Sequence, residues 1–199
     1  KTFYYCVHMF SFKKKYFLII ESTKDINLGD IKKYNKFIII YRNSDKKESL
    51  ENLIRFRKKC RLKLIKFFVA NDMKLSVLLN SDGIYLSSYN KTYKSLNIIK
   101  KKFEIIGSAH SACEIALKIK QGCSFILLSK LFSVDYDKKS PFLNVIRFNK
   151  FLFNETKKLV PLGGIKISNL NKLKSVNCEG FAILSEIKKK PTKIISRLF

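Results

Sequence analysis

The stretch Leu159-Val160-Pro161-Leu162-Gly163-Gly164-Ile165 is a short apolar run that ends in two glycines. It is the seventh of eight such runs, which are rich in β-branched and aromatic residues and are mostly continuous rather than alternating. Continuous runs of this length are typical of parallel strands that are covered on both faces. The eight predicted strands are Tyr16–Ile20, Phe37–Tyr41, Lys66–Ala70, Gly83–Leu86, Phe103–Gly107, Ser124–Leu128, Leu159–Leu162 and Phe181–Leu184.

Segments with helical periodicity separate these runs. The clearest segment, Glu48–Arg61, repeats its core-facing positions at steps of three and four, and Lys and Arg occupy its other face. Those positions are Leu50, Leu53, Ile54 and Arg57. Another helix is predicted from Ser111 as N-cap to Gly122 as C-cap, with Glu114 completing a capping box. The remaining predicted helices are Met73–Leu79, Asn144–Lys157 and Ser168–Val176.

The alternation of strands and helices implies right-handed parallel crossovers. We therefore predict an α/β fold, a single (β/α)₈ TIM barrel. Its first helix is shortened, because Asp25–Lys36 leaves room for only a stub. The alternative is an open doubly wound sheet, but eight regular units without a long insertion favour closure. We expect residues 1–15 to be an N-terminal extension and residues 16–199 to form the barrel domain.

The formal net charge is +26, and it has two interpretations. One is a nucleic-acid or anionic-membrane partner. The other is compositional drift, because Lys dominates over Arg, Trp is absent, and the basic clusters are spread along the whole chain. We favour drift and expect no nucleic-acid partner despite the charge. An anionic small substrate would still benefit from the positive field.

The five cysteines, Cys6, Cys60, Cys113, Cys123 and Cys178, form no CxxC pair and have no His at metal-ligand spacing. We expect reduced thiols in a cytoplasmic protein. Apolar runs all fall well short of the roughly 18 residues needed to span a membrane, so we expect no membrane partner.

In a barrel, functional groups lie where strands end and βα loops begin. The paired Gly163-Gly164 after strand seven let the backbone approach an anion closely. Ser185 after strand eight can donate its hydroxyl, and a helix follows it. We predict a phosphate site at these two strand ends. The alternative is that the glycines only turn the chain.

Polar residues also follow other strands. Arg42 suits bidentate contact with a phosphate, or it is an exposed arginine paired with Asp45 or Glu48. Asp72, in the pair Asn71-Asp72, could hold Mg²⁺, or it is the N-cap of the next helix.

The loops after strands five and six add two further candidates. His110 could act as an acid or base, or could make a structural hydrogen bond at a helix start. Lys138 could grip a leaving pyrophosphate, or could be a solvated loop lysine.

These residues, in this order, resemble the thiamine phosphate synthase / thiazole tautomerase (TenI) superfamily. The resemblance covers most of the chain and is best in the second half. There, Ile106–Ser111 looks like the family's IGxSxH[ST] segment with one residue missing, Pro161–Ile165 like its IGGI loop and Ile183–Ile187 like its VVSAI segment. In the first half, Tyr41-Arg42 is similar to QLREK, Asn71-Asp72 to NDR and Asp82–Leu86 to DGVHL.

The resemblance implies a transferase that joins a pyrimidine methyl diphosphate to a thiazole phosphate and releases pyrophosphate. Arg42 and Asn71 would contact the pyrimidine diphosphate, and Asp72 would hold Mg²⁺. Ser108 would lie near the reacting centre. Gly163, Gly164 and Ser185 would bind the thiazole phosphate.

The chain departs from the family on the diphosphate side. Ile40 and Ser44 replace the family's Gln and Lys around the arginine, the second Mg²⁺ carboxylate falls near Asn90, and Ser133–Lys138 replaces a Thr-rich loop. Two alternatives therefore stay open: a thiazole tautomerase-like enzyme that uses His110, and a non-catalytic binder of phosphate ligands. The sequence also leaves open whether the chain forms a homodimer.

Overall fold

The structure is a computed structural model that describes residues 15–32, 34–42, 48–92, 103–135, 137, 139–154 and 159–198. Within these residues, eight parallel strands pair in chain order, and the last strand pairs with the first to close a barrel. The strands are β1 Lys15–Ile20, β2 Phe37–Tyr41, β3 Lys66–Ala70, β4 Gly83–Leu86, β5 Glu104–Ala109, β6 Phe125–Ser129, β7 Leu159–Leu162 and β8 Gly180–Ile183. The predicted barrel and its strand order are confirmed.

Helices follow the strands on the outside of the barrel. In the described part of the chain, the α-helices are α1 Leu50–Leu62, α2 Met73–Leu78, α3 Ala112–Lys120, α4 Asn144–Asn154, α5 Ser185–Lys189 and α6 Pro191–Ser196. The unit after β7 differs from the prediction, because Ile167–Ser175 forms a 3₁₀ helix rather than an α-helix.

The shortened first helix is also confirmed. Between β1 and β2 the chain forms three short 3₁₀ turns, Thr23–Asp25, Leu28–Asp30 and Tyr34–Lys36. The first turn is closed by Asp25, whose carboxylate accepts hydrogen bonds from the backbone N–H groups of Glu21 and Ser22. Local capping of this kind satisfies the backbone where a full helix is missing.

Alternate residues of each strand enter two separate apolar layers. Phe17 and Ile19 of β1 belong to a cluster inside the barrel, where the Phe17 ring lies 5.4 Å from that of Phe125 across the interior. Tyr16 and Leu18 of the same strand belong to the larger cluster that packs under the helices. This arrangement explains the continuous apolar runs, since both faces of every strand are buried.

Helix α1 packs on the barrel through a face that contains only two of the four predicted positions, Leu53 and Arg57. Its buried residues are Leu53, Phe56, Arg57 and Cys60. Leu50 and Ile54 are 43% and 48% exposed, so the prediction was wrong for these two positions. The contact with Phe67 of β3 is made by Phe56, with ring centroids 6.0 Å apart.

Arg57 ties α1 to the connection between α2 and β4. Its side chain is 8% exposed and donates hydrogen bonds to the carbonyl of Asn80 at 3.2 and 3.0 Å and to the carboxylate of Asp82 at 2.9 Å. The second oxygen of Asp82 accepts from the backbone N–H of Phe67 at 2.7 Å. The ion pair is therefore built into the packing of α1 rather than lying on the surface.

The described cysteines, Cys60, Cys113, Cys123 and Cys178, are all free thiols. Burial raises the pKa of the Cys60 thiol to about 12. This thiol therefore stays protonated and unreactive at neutral pH. Within the described residues, none of the helices is both long enough and apolar enough to cross a bilayer.

Replacing Arg57 should reduce the stability of the protein much more than replacing Arg55 of the same helix. We expect Arg57→Ala to lower the free energy of unfolding by about 2–3 kcal/mol, because the partly buried Asp82 and the Asn80 carbonyl lose their partner. Arg55→Ala is the matched control, since Arg55 pairs only with exposed Glu51 and should cost less than about 1 kcal/mol. Urea denaturation at neutral pH measures both values, and equal effects would contradict the assignment.

Candidate active site

The carboxyl ends of strands β2 to β8 surround a cavity of about 230 Å³. This is the end of the barrel at which TIM-barrel enzymes carry their chemistry. The structure brings most of the predicted site residues together there. Those lining the cavity are Arg42, Asn71, Ser108, His110, Gly163, Gly164 and Ser185. Asp72 is not among the lining residues, and Lys138 lies outside the described residues.

The two glycines after β7 are required by the backbone. Both have positive φ, +92° at Gly163 and +68° at Gly164, a conformation that favours glycine. A Cβ on Gly164 would also lie 2.4 Å from the carbonyl oxygen of Phe132 and 2.5 Å from that of Ser133. The glycines therefore do turn the chain, and they also allow the β6 loop to cross directly over them.

Asn169 holds the glycine loop in place. Its amide donates to the carbonyl of Gly164 at 2.8 Å, and its oxygen accepts from the backbone N–H of Lys166 at 2.8 Å. Within the described residues, the N–H groups of Gly164 and Ile165 donate to no protein acceptor. The loop is therefore fixed in shape, with backbone donors at the cavity wall.

Ser185 follows β8 and lines the same cavity as the two glycines. It is the first residue of α5, which is only five residues long. A helix this short sums few peptide dipoles, so its N-terminus contributes little to anion binding. The hydroxyl of Ser185 is the group that can contact a phosphate here.

Asn71 organises the loop after β4. Its amide nitrogen donates to the Ser87 hydroxyl at 2.8 Å and to the Tyr89 hydroxyl at 3.0 Å. Its amide oxygen accepts from the Ser87 backbone at 3.0 Å and from Asn90 at 3.3 Å. Asn71 is itself in the left-handed region, at φ +56°, which asparagine tolerates better than most residues. The side chain therefore positions neighbouring polar groups around the cavity.

A buried lysine of α3 holds the loop after β4 in place. Lys118 of α3 is fully buried and donates from Nζ to the carbonyls of Ser87 at 2.7 Å and Asn90 at 2.8 Å. Burial lowers the pKa of this lysine. Gln121 adds hydrogen bonds from its amide to the carbonyls of Asn90 and Thr92. The β4 loop is therefore fixed to the body of the barrel by α3.

Tyr85 is a cavity residue that the sequence reasoning missed. Its side chain is 5% exposed, and its hydroxyl forms a hydrogen bond with the side chain of Ser108. Burial raises the pKa of Tyr85, and the Ser108 hydrogen bond and the charge of Arg42 act in the opposite direction. The motif DGIYL contained the signal, since Tyr85 stands at the position of the family's histidine.

His110 lies at the cavity rim, just before α3. Its backbone N–H donates to the carboxylate of Glu114 at 2.7 Å, and Ser111 Oγ accepts from the Glu114 N–H at 3.3 Å. In a capping box the Glu114 carboxylate would accept from the N–H of Ser111. Here it accepts from the N–H of the preceding residue, His110. This structural hydrogen bond uses the backbone of His110, and the residue is exposed and lines the cavity.

Asp72 caps helix α2. Its Oδ1 accepts from the backbone N–H of Leu75 at 2.9 Å, which is the alternative that the sequence left open. At the family's second carboxylate position, Asn90 carries an amide that donates to Asn71. Within the described residues, groups of three or more His, Cys, Asp or Glu that could hold a metal are absent.

Three charged residues beside the glycine loop were also missed. Asp135, from the loop after β6, accepts hydrogen bonds from Lys166 and from Lys189, the latter at 2.9 Å. The hydrogen bond from Lys166, followed by that from Lys189, lowers the pKa of Asp135 to about 2. Asp135 and Lys166 line the cavity. The only sequence signal was that Lys166 directly follows the GGI segment.

Comparison with known protein families agrees with this geometry. The family model TMP-TENI, thiamine monophosphate synthase, matches residues 30–187. The thiamine-phosphate synthase of Pelagibacter ubique is 30% identical over 203 residues, covering 93% of this chain and 96% of that protein. The thiamine-phosphate synthase of one Prochlorococcus marinus strain is 26% identical over 122 residues, covering 60% of this chain and 35% of that protein. The chain thus spans less than half the length of its Prochlorococcus relatives.

Solved structures support the fold. Thiamine phosphate pyrophosphorylase from Pyrococcus furiosus superposes with a TM-score of 0.74 at 17% identity, covering 94% of each chain. Phosphoribosyl anthranilate isomerase from Thermotoga maritima gives 0.69 at 12% identity, covering 92% of this chain and 96% of that one. At these identities the likeness establishes only the barrel. The family match over most of the barrel, together with the 30% identity to a full-length relative, shows that this chain belongs to the thiamine monophosphate synthase family.

Proposed function

We propose that the chain forms thiamine phosphate by joining a pyrimidine methyl diphosphate to a thiazole phosphate. In this reaction the C–O bond to the diphosphate breaks, the thiazole nitrogen bonds to the methylene carbon, and pyrophosphate leaves. The observation that carries the proposal is the convergence of the predicted ligand residues from five strand ends on one cavity at the barrel mouth. Family membership adds the substrate class.

The thiazole phosphate is assigned to the wall formed by β7 and β8. There the backbone donors of Gly164 and Ile165 and the hydroxyl of Ser185 line one side of the cavity. Hydrogen bonds to a charged phosphate are about twice as strong as those between neutral groups. Because Asn169 fixes the glycine loop, these donors need little reorganisation when the ligand binds.

The pyrimidine diphosphate is assigned to the opposite wall. Arg42 supplies a guanidinium at the end of β2, and Asn71 fixes the β4 loop beside it. Ser108, bonded to Tyr85, lies between the two walls and close to the point where the substrates would meet. Lys138 remains a proposed contact for the leaving pyrophosphate.

For Mg²⁺ we assign one carboxylate, that of Asp72, which caps α2 beside the cavity and does not line it. Asp72 is the single carboxylate that follows β3, and Asn71 and Asn90 beside it are amides. Such a set suits an ion that is held by one protein carboxylate, by waters and by substrate phosphates. Asp72 would hold the ion, which would neutralise the leaving diphosphate when bound.

A thiazole tautomerase-like activity, or simple phosphate-ligand binding, is the second candidate. It is favoured by the amide of Asn90 at the second metal position and by the carboxylate of Asp135 in the loop that should meet a diphosphate. In the tautomerase case His110 would move the proton.

The two candidates predict different patterns of ligand stabilisation. A synthase should be stabilised against heat by thiazole phosphate and also by pyrophosphate with Mg²⁺, because each ligand binds only the folded state. A tautomerase-like protein or binder should respond to thiazole phosphate alone. Thermal melts with each ligand separately give the answer, and a melt unaffected by thiazole phosphate would contradict both candidates.

The thiazole phosphate wall can be tested with one serine. We expect Ser185→Ala to raise KM for thiazole phosphate by about 10- to 100-fold, because a hydrogen bond to a charged group is lost. KM for the pyrimidine diphosphate should stay unchanged. Ser168→Ala is the matched control, since Ser168 is exposed near the same loop but does not line the cavity. A rise in both KM values would point to general damage rather than a phosphate contact.

The magnesium role can be separated from the cap role at Asp72. Asn caps a helix about as well as Asp, so Asp72→Asn should leave the melting temperature nearly unchanged. Loss of the carboxylate should lower the rate about 10- to 100-fold and raise the Mg²⁺ concentration needed for half-maximal activity. Steady-state assays across a Mg²⁺ series measure this. An unaltered Mg²⁺ dependence would remove Asp72 from the metal site.

A further inference from the structure

Three βα loops are cross-linked at the cavity by one carboxylate. Asp135 comes from the loop after β6, Lys166 from the loop after β7, and Lys189 from α5 after β8. Both lysine ammonium groups donate to the Asp135 carboxylate, one to each of its oxygens. We call these three residues the clasp.

The clasp lies beside the donors assigned to phosphate. Lys166 follows Ile165 directly and lines the same cavity as Gly164. Lys189 is four residues after Ser185 in α5, and residues at this spacing lie on the same face of a helix. Lys166 and Asp135 therefore line the cavity itself, and Lys189, which does not line it, is held next to them by the Asp135 carboxylate.

An anion in this position is chemically unexpected. Asp135 stays ionised throughout the neutral range, because its pKa is lowered to about 2 by Lys166 and then Lys189. A carboxylate that lines an anion site repels the ligand, and here it also occupies the two lysines that could otherwise bind that ligand. Each pair is exposed to solvent, and exposed ion pairs are individually weak, so they can exchange partners readily.

Resting on the phosphate site proposed above, we propose that Asp135 is a built-in competitor that holds Lys166 and Lys189 until a phosphate monoester dianion displaces it. The dianion carries twice the charge of the carboxylate and also receives the donors of the glycine loop and Ser185. Lys166 and Lys189 are then side-chain ligands of the bound phosphate. The clasp would thereby favour dianionic phosphates over singly charged anions.

The competitor role and a purely structural role of Asp135 predict opposite changes in phosphate affinity when Asp135 is replaced. If Asp135 only fastens the loops, Asp135→Asn loosens the site and weakens phosphate binding. If Asp135 competes for the lysines, the same change frees them and tightens phosphate binding.

The test is calorimetric titration of the full chain with inorganic phosphate at low ionic strength. We expect Asp135→Asn to tighten binding about three- to tenfold, the size expected for release of two exposed pairs. The double variant Lys166→Met/Lys189→Met should weaken binding at least as much. In that background Asp135→Asn should tighten binding by clearly less than in the wild type, because only the direct repulsion between the carboxylate and the phosphate remains.

Two control variants distinguish a specific effect of the clasp residues from the general effect of a change in net charge. Glu51→Gln makes the same change in charge on exposed α1, and Lys188→Met removes the neighbouring lysine, which pairs with Glu21 instead. Neither should alter phosphate affinity by more than the general charge effect. Thermal melts of every variant confirm that the barrel is folded.

The outcomes distinguish the two proposals. Wild-type binding that depends on Ser185 but is unchanged or weakened by Asp135→Asn overturns the competitor role and leaves the phosphate site standing. Absence of phosphate binding in both the wild type and Asp135→Asn overturns the phosphate site and the clasp together. Tightening by Asp135→Asn that is just as large after loss of both lysines also overturns the competitor role.

Discussion

Closure of the barrel is the constraint on which the rest of the structure depends. Strand β8 pairs with β1 in parallel, with Lys15 opposite Gly180 and Leu18 opposite Ile183. Every strand thereby gains two neighbours, and no edge is left unpaired. Closure also forces alternate side chains into two apolar layers, one inside the barrel and one beneath the helices. Because all strands run the same way, their carboxyl ends meet at one rim, which is where the cavity forms.

The rim is shaped by polar side chains that each fix one loop. Lys118 is fully buried to satisfy two carbonyls of the β4 loop, Asn169 spans the glycine turn, and Asp135 joins the loops after β6, β7 and β8. Burying a lysine costs free energy, and its lowered pKa reflects that cost. In return, the polar groups at the rim of the cavity are held in position before a ligand binds.

The two walls of the cavity differ in chemical character. The wall at β7 and β8 carries the glycine loop, the Ser185 hydroxyl and Lys166, whereas the wall from β2 to β4 carries one arginine and a network of amides centred on Asn71. The net charge of +26 is spread over the whole chain, so it raises the general attraction for anions. Selectivity between anions has to come from the local arrangement, where a single carboxylate can oppose two lysines.

The barrel, its strand order and its short first crossover followed from the sequence alone, because continuous apolar runs, helical periodicity and turn residues are local signals. The same signals placed Gly163, Gly164, Ser185, Arg42 and Ser108 at strand ends, and closure brought them together. The sequence could not decide which face of α1 is buried, since Leu50 and Ile54 fit the period as well as Phe56 does. Nor could it find the cluster of Asp135, Lys166 and Lys189, whose members are up to 54 residues apart. Contacts of that separation leave no periodic trace in a sequence, so only the tertiary structure decided them.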